Sequence, residues 1–254
     1  MIIRAKKSLG QNFIFDEIYL DKISDLINSD NENIIIEIGS GPGTLTGRLL
    51  SKNYKQIILI EKDRRFIKNL EIICNGKNAK ILNEDALHFN FQDSNMTNSI
   101  IVGNLPFNIS VELLYNWTKV NKWPPKQNKM ILMFQKEVAN RIIANPNCKS
   151  YGKLSVVIQS RYKIKELLKV PSEVFTPSPK VDATILELTP HNDYQTIDIN
   201  KIDMVAKTAF SQRRKKIKNT MKAYTEVMKK LSINENLRPE DLLVSDYCKI
   251  ASIG

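Results

Sequence analysis

The fold is indicated most clearly by residues 34–43, which read Ile34-Ile35-Ile36-Glu37-Ile38-Gly39-Ser40-Gly41-Pro42-Gly43. An apolar run before the first glycine is typical of a buried strand, and the glycines let the backbone pass close to a ligand. Outward from this stretch, similar β-rich runs such as Gln56–Ile60 and Ala79–Leu82 alternate with amphipathic stretches. The alternation predicts an α/β fold with a doubly wound, mostly parallel sheet.

The predicted elements divide the chain into two parts. The predicted strands are Ile34–Ile38, Gln56–Ile60, Ala79–Leu82, Ser99–Val102, Lys129–Gln135 and Ala183–Leu188, and the predicted helices lie at Leu45–Leu50, Arg64–Ile73 and Glu137–Ile143. From Ile197 onward only helical spacing is visible. We therefore expect a sheet domain over residues 1–190 and a small helical domain over residues 191–254.

Composition excludes several classes of protein. The chain has 254 residues, of which 42% are hydrophobic and 26% charged, so a disordered chain is not expected. Its apolar runs are too short to span a bilayer, and the first residues lack an apolar run of signal-peptide length. Three scattered cysteines and two histidines give no disulfide framework and no metal site. These features predict a cytoplasmic protein with no membrane or metal partner, and nothing in them demands an oligomer, so a monomer is expected.

The positive charge is unevenly distributed. Residues 15–100 hold 10 basic and 13 acidic side chains, whereas residues 119–169 hold 12 basic and 2 acidic ones. Residues 211–230 hold a further 8 basic side chains against a single glutamate. Solvated helix faces would account for any one of these lysines. Two separate basic blocks beside an acidic half favour a polyanion, and nucleic acid is the leading partner class.

Carboxylates follow the second and third predicted strands, as the glycine loop follows the first. Glu61 directly follows the predicted strand Gln56–Ile60, at a position where a carboxylate can accept hydrogen bonds from both ribose hydroxyls. Asp85 follows the next predicted strand and could accept a hydrogen bond from an adenine amino group. A tight turn and two helix N-caps are the alternative interpretation. Because Gly39 and Gly41 are followed by Thr44, the dinucleotide spacing is not met. An adenosyl ligand without a pyrophosphate, S-adenosylmethionine, fits better.

Asn104-Leu105-Pro106-Phe107 follows the fourth predicted strand and suits methylation of an exocyclic base nitrogen. The lone pair of such a nitrogen is delocalised into the ring, so hydrogen-bond acceptors are needed to localise it. The Asn104 amide oxygen and a backbone carbonyl beside Pro106 could accept its two N–H groups, and Phe107 could stack on an unpaired base. Alone, the motif could also be a loop with a buried aromatic anchor.

These motifs together resemble the bacterial small-subunit ribosomal RNA adenine dimethyltransferases, over nearly the whole chain. Lys6-Lys7-Ser8-Leu9-Gly10-Gln11-Asn12-Phe13-Ile14 is similar to the N-terminal signature of that family. The resemblance implies a Rossmann-like class I S-adenosylmethionine-dependent methyltransferase sheet with a small C-terminal helical domain. It also implies that the donor is bound by Asn12, Ile14, Gly39, Gly41, Glu61, Asp85 and Asn104. The usual tyrosine of the motif is Phe107 here, so stacking is retained and a hydroxyl role is excluded.

Further matches extend to the substrate side. Phe175-Thr176-Pro177-Ser178-Pro179-Lys180-Val181-Asp182 resembles the loop that lines the target-base pocket, where Phe175 would face Phe107 as an aromatic clamp or act as a hydrophobic plug. Residues 210–216 resemble the basic helix of the C-terminal domain, and this implies RNA contacts by Arg213, Arg214, Lys215 and Lys216. The motif Arg238-Pro239-Glu240-Asp241-Leu242 resembles a closing structural motif.

The function implied by the resemblance is N6,N6-dimethylation of two adjacent adenosines in a hairpin near the 3′ end of 16S ribosomal RNA. The reaction would take place within a small-subunit particle and contribute to its maturation. Asn104, Leu105, Pro106 and Phe107 would carry the chemistry. Two alternatives stay open, namely a large-subunit methyltransferase of the antibiotic-resistance type and a mainly non-catalytic ribosome-assembly factor.

Overall fold

The computed structural model describes residues 5–27, 32–91, 97–120 and 123–253 of the chain. The strands are β1 (Phe13–Ile14), β2 (Ile34–Ile38), β3 (Gln56–Ile60), β4 (Ala79–Leu82), β5 (Ser99–Asn104), β6 (Gln127–Gln135), β7 (Tyr162–Val170), β8 (Phe175–Thr176) and β9 (Ala183–Pro190). The helices are α1 (Glu17–Asp25), α2 (Thr44–Leu50), α3 (Arg64–Cys74), α4 (Ser110–Thr118), α5 (Lys136–Ile142), α6 (Lys153–Gln159), α7 (Ile199–Phe210), α8 (Ile217–Thr220), α9 (Thr225–Lys230) and α10 (Val244–Ile253).

Seven strands form one sheet in the order β4-β3-β2-β5-β6-β9-β7, and β1 pairs with β8 in a separate two-stranded sheet. Strands β4, β3, β2, β5 and β6 are parallel, while β9 runs antiparallel to β6. The chain leaves β2 towards β3 and β4 and then returns to β5 on the other side of β2. This reversal creates a crevice at the carboxyl ends of β2 and β5, where ligands bind in open α/β sheets.

The central strands are apolar on both sides because both faces of the sheet are covered. On one face, Ile35, Ile57, Ile100 and Ile131 belong to a buried cluster. Helices α1, α2 and α3 contribute further members of that cluster, namely Leu20, Ile23, Leu49, Phe66 and Leu70. On the other face, residues such as Ile36 and Ile58 are also buried. Near-continuous β-branched runs are what a doubly covered parallel sheet requires. The predicted Rossmann-like α/β fold is therefore confirmed.

The chain divides into two compact units, and each of them is built from separate stretches. The first takes the described residues up to Trp117, Pro125–Ala139 and Lys165–Thr189, and the second takes Asn140–Ile164, the residues from Pro190 onward and the described part of 118–124. The predicted boundary after residue 190 lies next to the last crossing, between Thr189 and Pro190, whereas residues 118–124 and 140–164 group with the second unit and not with the first. These residues group with the C-terminal helices because, within the second unit, α6 and α10 pack on α7.

The second unit has its own aromatic core. Tyr151, Phe210 and Tyr247 lie in contact, with the rings of Phe210 and Tyr247 stacked at 5.9 Å between centroids. The two buried tyrosine hydroxyls donate to backbone carbonyls, from Tyr151 to Leu242 and from Tyr247 to Pro239. These bonds anchor the short helical turn Pro239–Asp241. The interpretation of residues 238–242 as a structural motif agrees with this packing.

Candidate active site: a cleft at the carboxyl edge of the sheet

A cleft lies at the carboxyl ends of the first four parallel strands. Its empty volume is about 930 Å³ with the open mouth included, a size suited to a nucleoside-like ligand. The lining comes from the N-terminal segment (residues 8–13) and from the residues that follow each strand: Gly39, Gly41, Glu61, Lys62, Asp85, Leu87, Asn104, Leu105, Pro106 and Asn108. Apart from Ile14, the residues predicted to bind the donor are therefore brought together in one cleft.

The glycine loop after β2 is shaped by close approach. Gly41 has φ of +53°, and a Cβ added to it would lie 3.0 Å from the Phe13 ring. A side chain at this position would thus be strained and would push against the N-terminal segment. Gly43 does not line the cleft but lies against Leu70 and Ile73 of α3. The first two glycines of the motif serve the cleft, and the third serves helix packing.

Glu61 forms one polar side of the cleft. Its side chain is buried, and its two carboxylate oxygens accept N–H groups from Gly41 and Asp63, each at 2.7 Å. Burial raises the pKa of this carboxyl above its usual value, and the two backbone N–H groups oppose that rise. Each oxygen retains a second lone pair, so ribose hydroxyls can still be accepted.

Asp85 forms the next polar side and is held by Lys62. The Lys62 ammonium lies 2.6 Å from one carboxylate oxygen, and the Leu87 N–H donates to the other at 3.1 Å. Partial burial raises the pKa of Asp85, but these two contacts outweigh it, and the pKa lies below its ordinary value. The carboxylate is thus kept ionised and able to accept a hydrogen bond. Lys62 was not identified from the sequence, and its signal is its place directly after Glu61.

A third carboxyl, that of Glu37, is buried behind the glycine loop, and its pKa differs from those of the other two. It accepts a hydrogen bond from the Thr46 hydroxyl at 2.7 Å. Burial, assisted by the nearby negative charge of Glu61, raises the pKa of Glu37 to about 8. Glu37 does not line the cleft that contains Glu61 and Asp85. Its role here is to hold the start of α2 beneath the glycine loop.

The Asn104-Leu105-Pro106-Phe107 motif presents acceptors to the cleft. The Asn104 amide nitrogen donates to the Asn12 carbonyl at 2.7 Å, which leaves the amide oxygen as the free acceptor. Of the two backbone carbonyls beside the proline, that of Pro106 accepts the Ile109 N–H at 3.1 Å, and that of Leu105 is the candidate second acceptor. Asn104 and Leu105 both line the cleft, and their use as acceptors for a ligand with two N–H groups stays a prediction.

Phe107 and Phe175 lie together but do not form an open clamp. Their ring centroids are 6.2 Å apart, and the rings meet edge to face at 66°. Phe175 is 3% exposed and belongs to the buried cluster, whereas Phe107 is only partly buried. Phe175 therefore offers no open face to a base in this structure. This geometry agrees with the alternative interpretation of Phe175 as a hydrophobic plug, and a stacking role for the partly buried Phe107 stays a prediction.

Ile14 does not line the cleft, so a donor contact by this residue stays a prediction. Ile14 is 4% exposed and packs in the buried cluster, and it pairs with Phe175 in the β1–β8 ladder. Neighbouring residues of a strand point to opposite sides, so Phe13 lines the cleft and Ile14 points away from it. A strand of two residues gives no alternation from which this orientation could be predicted.

Among the four basic residues predicted to bind RNA, Arg213 differs from the others. Its guanidinium lies 2.6 Å from the Glu240 carboxylate and also donates to the carbonyls of Cys148 and Lys149. Arg213 is therefore a structural clamp within the second unit, whereas Arg214, Lys215 and Lys216 are exposed. The predicted basic helix is also corrected, because α7 ends at Phe210 and the basic run forms the turn before α8.

Two further observations concern the described residues as a whole. No helix in the described ranges is long and apolar enough to cross a bilayer. In the same part of the chain, no three His, Cys, Asp or Glu side chains are grouped so that they could hold a metal ion.

Nearly the whole chain is similar to known proteins. The sequence model of the family described as ribosomal RNA adenine dimethylase matches residues 2–253. A Francisella tularensis subsp. novicida (strain U112) protein named ribosomal RNA small subunit methyltransferase A is 40% identical over 258 residues, covering 98% of this chain and 97% of that protein. The crystal structure of a dimethyladenosine transferase from Plasmodium falciparum has a TM-score of 0.81 at 25% identity, over 94% of this chain and 95% of that one. The 23S rRNA methyltransferase ErmE has a similar fold, with a TM-score of 0.71 at 18% identity, over 95% of this chain and 98% of that one.

Proposed function

Because the chain belongs to the ribosomal RNA adenine dimethylase family, we propose that it is a 16S rRNA (adenine-N6,N6)-dimethyltransferase. Its substrate is a pair of adjacent adenosines in a hairpin near the 3′ end of small-subunit RNA, and its methyl donor is S-adenosylmethionine. The observation that carries the proposal is the orientation of Asn104, whose amide nitrogen is bonded to Asn12 and whose oxygen is left for the substrate.

The residues of the cleft fit this donor. Glu61 follows one strand, is held by the Gly41 N–H and is suited to accept hydrogen bonds from ribose hydroxyls. Asp85 follows the next strand, is paired with Lys62 and is suited to accept a hydrogen bond from an adenine amino group. Gly41, which has no side chain, lets the backbone come close to the ligand, and Asn12 and Gly39 also line the cleft. When bound, S-adenosylmethionine supplies an electrophilic methyl group on a sulfonium. The chain's own residues bind it, orient it and orient the acceptor.

The acceptor side works by orientation and by selective hydrogen bonding. An adenine N6 is a weak nucleophile, because its lone pair is shared with the ring. When the Asn104 oxygen and the Leu105 carbonyl accept its two N–H groups, the nitrogen becomes pyramidal and its lone pair turns to the donor. Phe107 stacks on the base, and Pro106, which has no N–H, fixes the turn. Such preorganised bonds stabilise the transition state more than the ground state.

The same two acceptors explain why two methyl groups are added and not three. After the first transfer N6 still has one hydrogen for an acceptor, and it can be aligned again. Each transfer would form an N6–CH3 bond as the S–CH3 bond of the donor breaks, with one N6 hydrogen released as a proton and S-adenosylhomocysteine as the spent donor. After the second transfer no N–H remains for either oxygen, so product binding weakens. The pocket thus favours release at the dimethyl stage.

Small-subunit specificity is part of the proposal. It is supported by 40% identity over nearly the full length to a relative named for the small subunit, against 18% identity to a 23S enzyme. We further propose that the protein acts as a monomer in the cytoplasm, and that the exposed Arg214, Lys215 and Lys216 contact RNA phosphates in the assembling particle.

The test is transfer of labelled methyl groups from S-adenosylmethionine to unmethylated small and large ribosomal subunits. We expect dimethyladenosine near the 3′ end of small-subunit RNA, and a rate about 10²–10³-fold lower with Asn104→Ala. Label on the large subunit alone would assign the protein to the resistance-type enzymes. Tight subunit binding with no label on either subunit would favour an assembly factor and contradict the proposed chemistry.

A further inference from the structure

The N-terminal segment, residues 8–13, forms one wall of the proposed donor cleft, so its attachment determines whether that wall is in place. One attachment is the bond from Asn104 to the Asn12 carbonyl. Another is made by Gln11, whose amide nitrogen donates to the Asp63 carboxylate at 3.0 Å. The Gln11 amide oxygen accepts the Lys6 N–H at 2.8 Å, so the same side chain also fixes the turn that begins the segment.

Asp63 makes more polar contacts than its place before a helix requires. It is the N-cap of α3, where one carboxylate oxygen accepts the Arg65 N–H at 3.2 Å. The Arg65 guanidinium also binds both carboxylate oxygens, at 2.9 and 3.0 Å, and Lys6 lies 3.9 Å away. The Arg65 contact holds the pKa of Asp63 well below its usual range, and the Gln11 bond adds to it against the effect of burial. A cap alone needs one acceptor, which Ser or Asn would supply equally well.

The backbone of Asp63 contacts a second part of the cleft lining, the Glu61 carboxylate. Its N–H donates to one oxygen of Glu61 at 2.7 Å, while the Gly41 N–H donates to the other oxygen. One buried residue therefore connects the N-terminal wall, through Gln11, to the carboxylate suited to the ribose, through Glu61. Any shift of Asp63 moves both.

We propose that Asp63 is a positioning residue of the donor site, which couples the placement of the N-terminal segment along the cleft to the orientation of Glu61. This inference rests on the proposed donor site. Asp63 touches neither reacting atom, so its effect falls on donor affinity and on the rate at which donor and spent donor exchange. Each dimethylated base requires two donors in succession, so a weakened Gln11–Asp63 bond would affect both binding events.

The test exchanges donor and acceptor between Gln11 and Asp63. Asp63→Asn keeps the helix cap but turns an amide nitrogen towards Gln11 and Arg65. Gln11→Glu places two carboxylates face to face. In the double variant the asparagine amide introduced at position 63 can donate to the carboxylate introduced at position 11, which restores a bond of opposite polarity. Asp21→Asn is the matched control, because it breaks an exposed ion pair with Arg48 away from the cleft.

Equilibrium binding and dissociation rates of S-adenosylmethionine and S-adenosylhomocysteine are measured on the full chain, with the urea midpoint of every variant. We expect each single variant to bind the donor about tenfold more weakly and release it faster, the double variant to return to within about threefold of wild type, and the control to be unchanged. Losses that simply add in the double variant, or single variants with wild-type affinity and a lowered midpoint, would overturn the role of Asp63.

The variants are informative even if one does not fold, because Gln11→Ala removes the same bond without altering the cap and should also weaken donor binding. A wild-type chain that fails to bind S-adenosylmethionine would contradict the proposed donor site itself. Wild-type binding that neither Gln11 nor Asp63 variants disturb would contradict only the coupling.

Discussion

Glu37→Gln should make the protein more stable at alkaline pH and remove part of its pH dependence. Burial raises the pKa of Glu37 from 4.5 to about 8. Between these values the folded chain holds a proton that the unfolded chain has released, so its contribution to stability is full below about pH 4.5 and is lost as pH rises through 8. With about 1.4 kcal/mol per pKa unit, the loss from pH 5 to pH 8 is about 3–4 kcal/mol. The glutamine amide of the variant keeps the oxygen that accepts from Thr46 and carries no titrating proton.

The assay is urea unfolding of wild type and variant at half-unit steps from pH 5 to pH 8. The two free energies of unfolding should diverge with rising pH, and the variant should be the more stable at pH 8. Glu71→Gln, at an exposed position of α3, is the control and should follow wild type. Parallel profiles for Glu37→Gln and wild type would refute the assignment of a raised pKa to this carboxyl.

Three further predictions concern the cleft and the basic turn. Gly41→Ala should weaken S-adenosylmethionine binding, measured by calorimetry, at least tenfold. The reason is that Gly41 has φ of +53° and that the added methyl group would lie 3.0 Å from the Phe13 ring. Unchanged affinity would contradict the need for a glycine at this position of the cleft. Arg213→Ala should lower the free energy of unfolding by about 1–2 kcal/mol and leave the salt dependence of RNA binding unchanged. A variant with both Lys215→Ala and Lys216→Ala should keep the free energy of unfolding and reduce the slope of log RNA affinity against log salt by about 2. If Arg213→Ala and this double variant changed stability and salt slope equally, the division into a structural arginine and RNA-binding lysines would be refuted. Phe107→Leu should lower methyl transfer at least fivefold while Phe107→Tyr retains it, so a fully active leucine variant would exclude stacking.

The central strands could be predicted from the sequence because burial on both faces leaves a continuous apolar signal. The bounds of β2, β3 and β4 agree with the predicted strands residue for residue. Strand β7 was missed for the opposite reason. It lies at the edge of the sheet and carries the charged residues Lys163, Lys165, Glu166 and Lys169. Such charges are typical of an exposed edge strand, and they interrupt the apolar run by which the central strands were recognised.

The site could be predicted as far as strand ends determine it. Gly39, Glu61, Asp85 and Asn104 converge because parallel strands end at one edge. Contacts between residues far apart in sequence could not be predicted. Nothing in a run of basic residues shows that Arg213 is paired with Glu240, 27 positions away, while its neighbours are exposed.

The sheet order also has a consequence for how this chain can be synthesised. Strand β9, the last of the sheet in sequence, lies between β6 and β7 in space. Until β9 has been translated, β6 lacks one of its neighbours in the ladder, and an apolar run that includes Met130–Phe134 has an open edge. A nascent chain shorter than about 190 residues thus carries an unpaired strand that can join other chains. Folding of the sheet domain is therefore a late event in translation, and fragments that end before Pro190 should aggregate where the full chain folds.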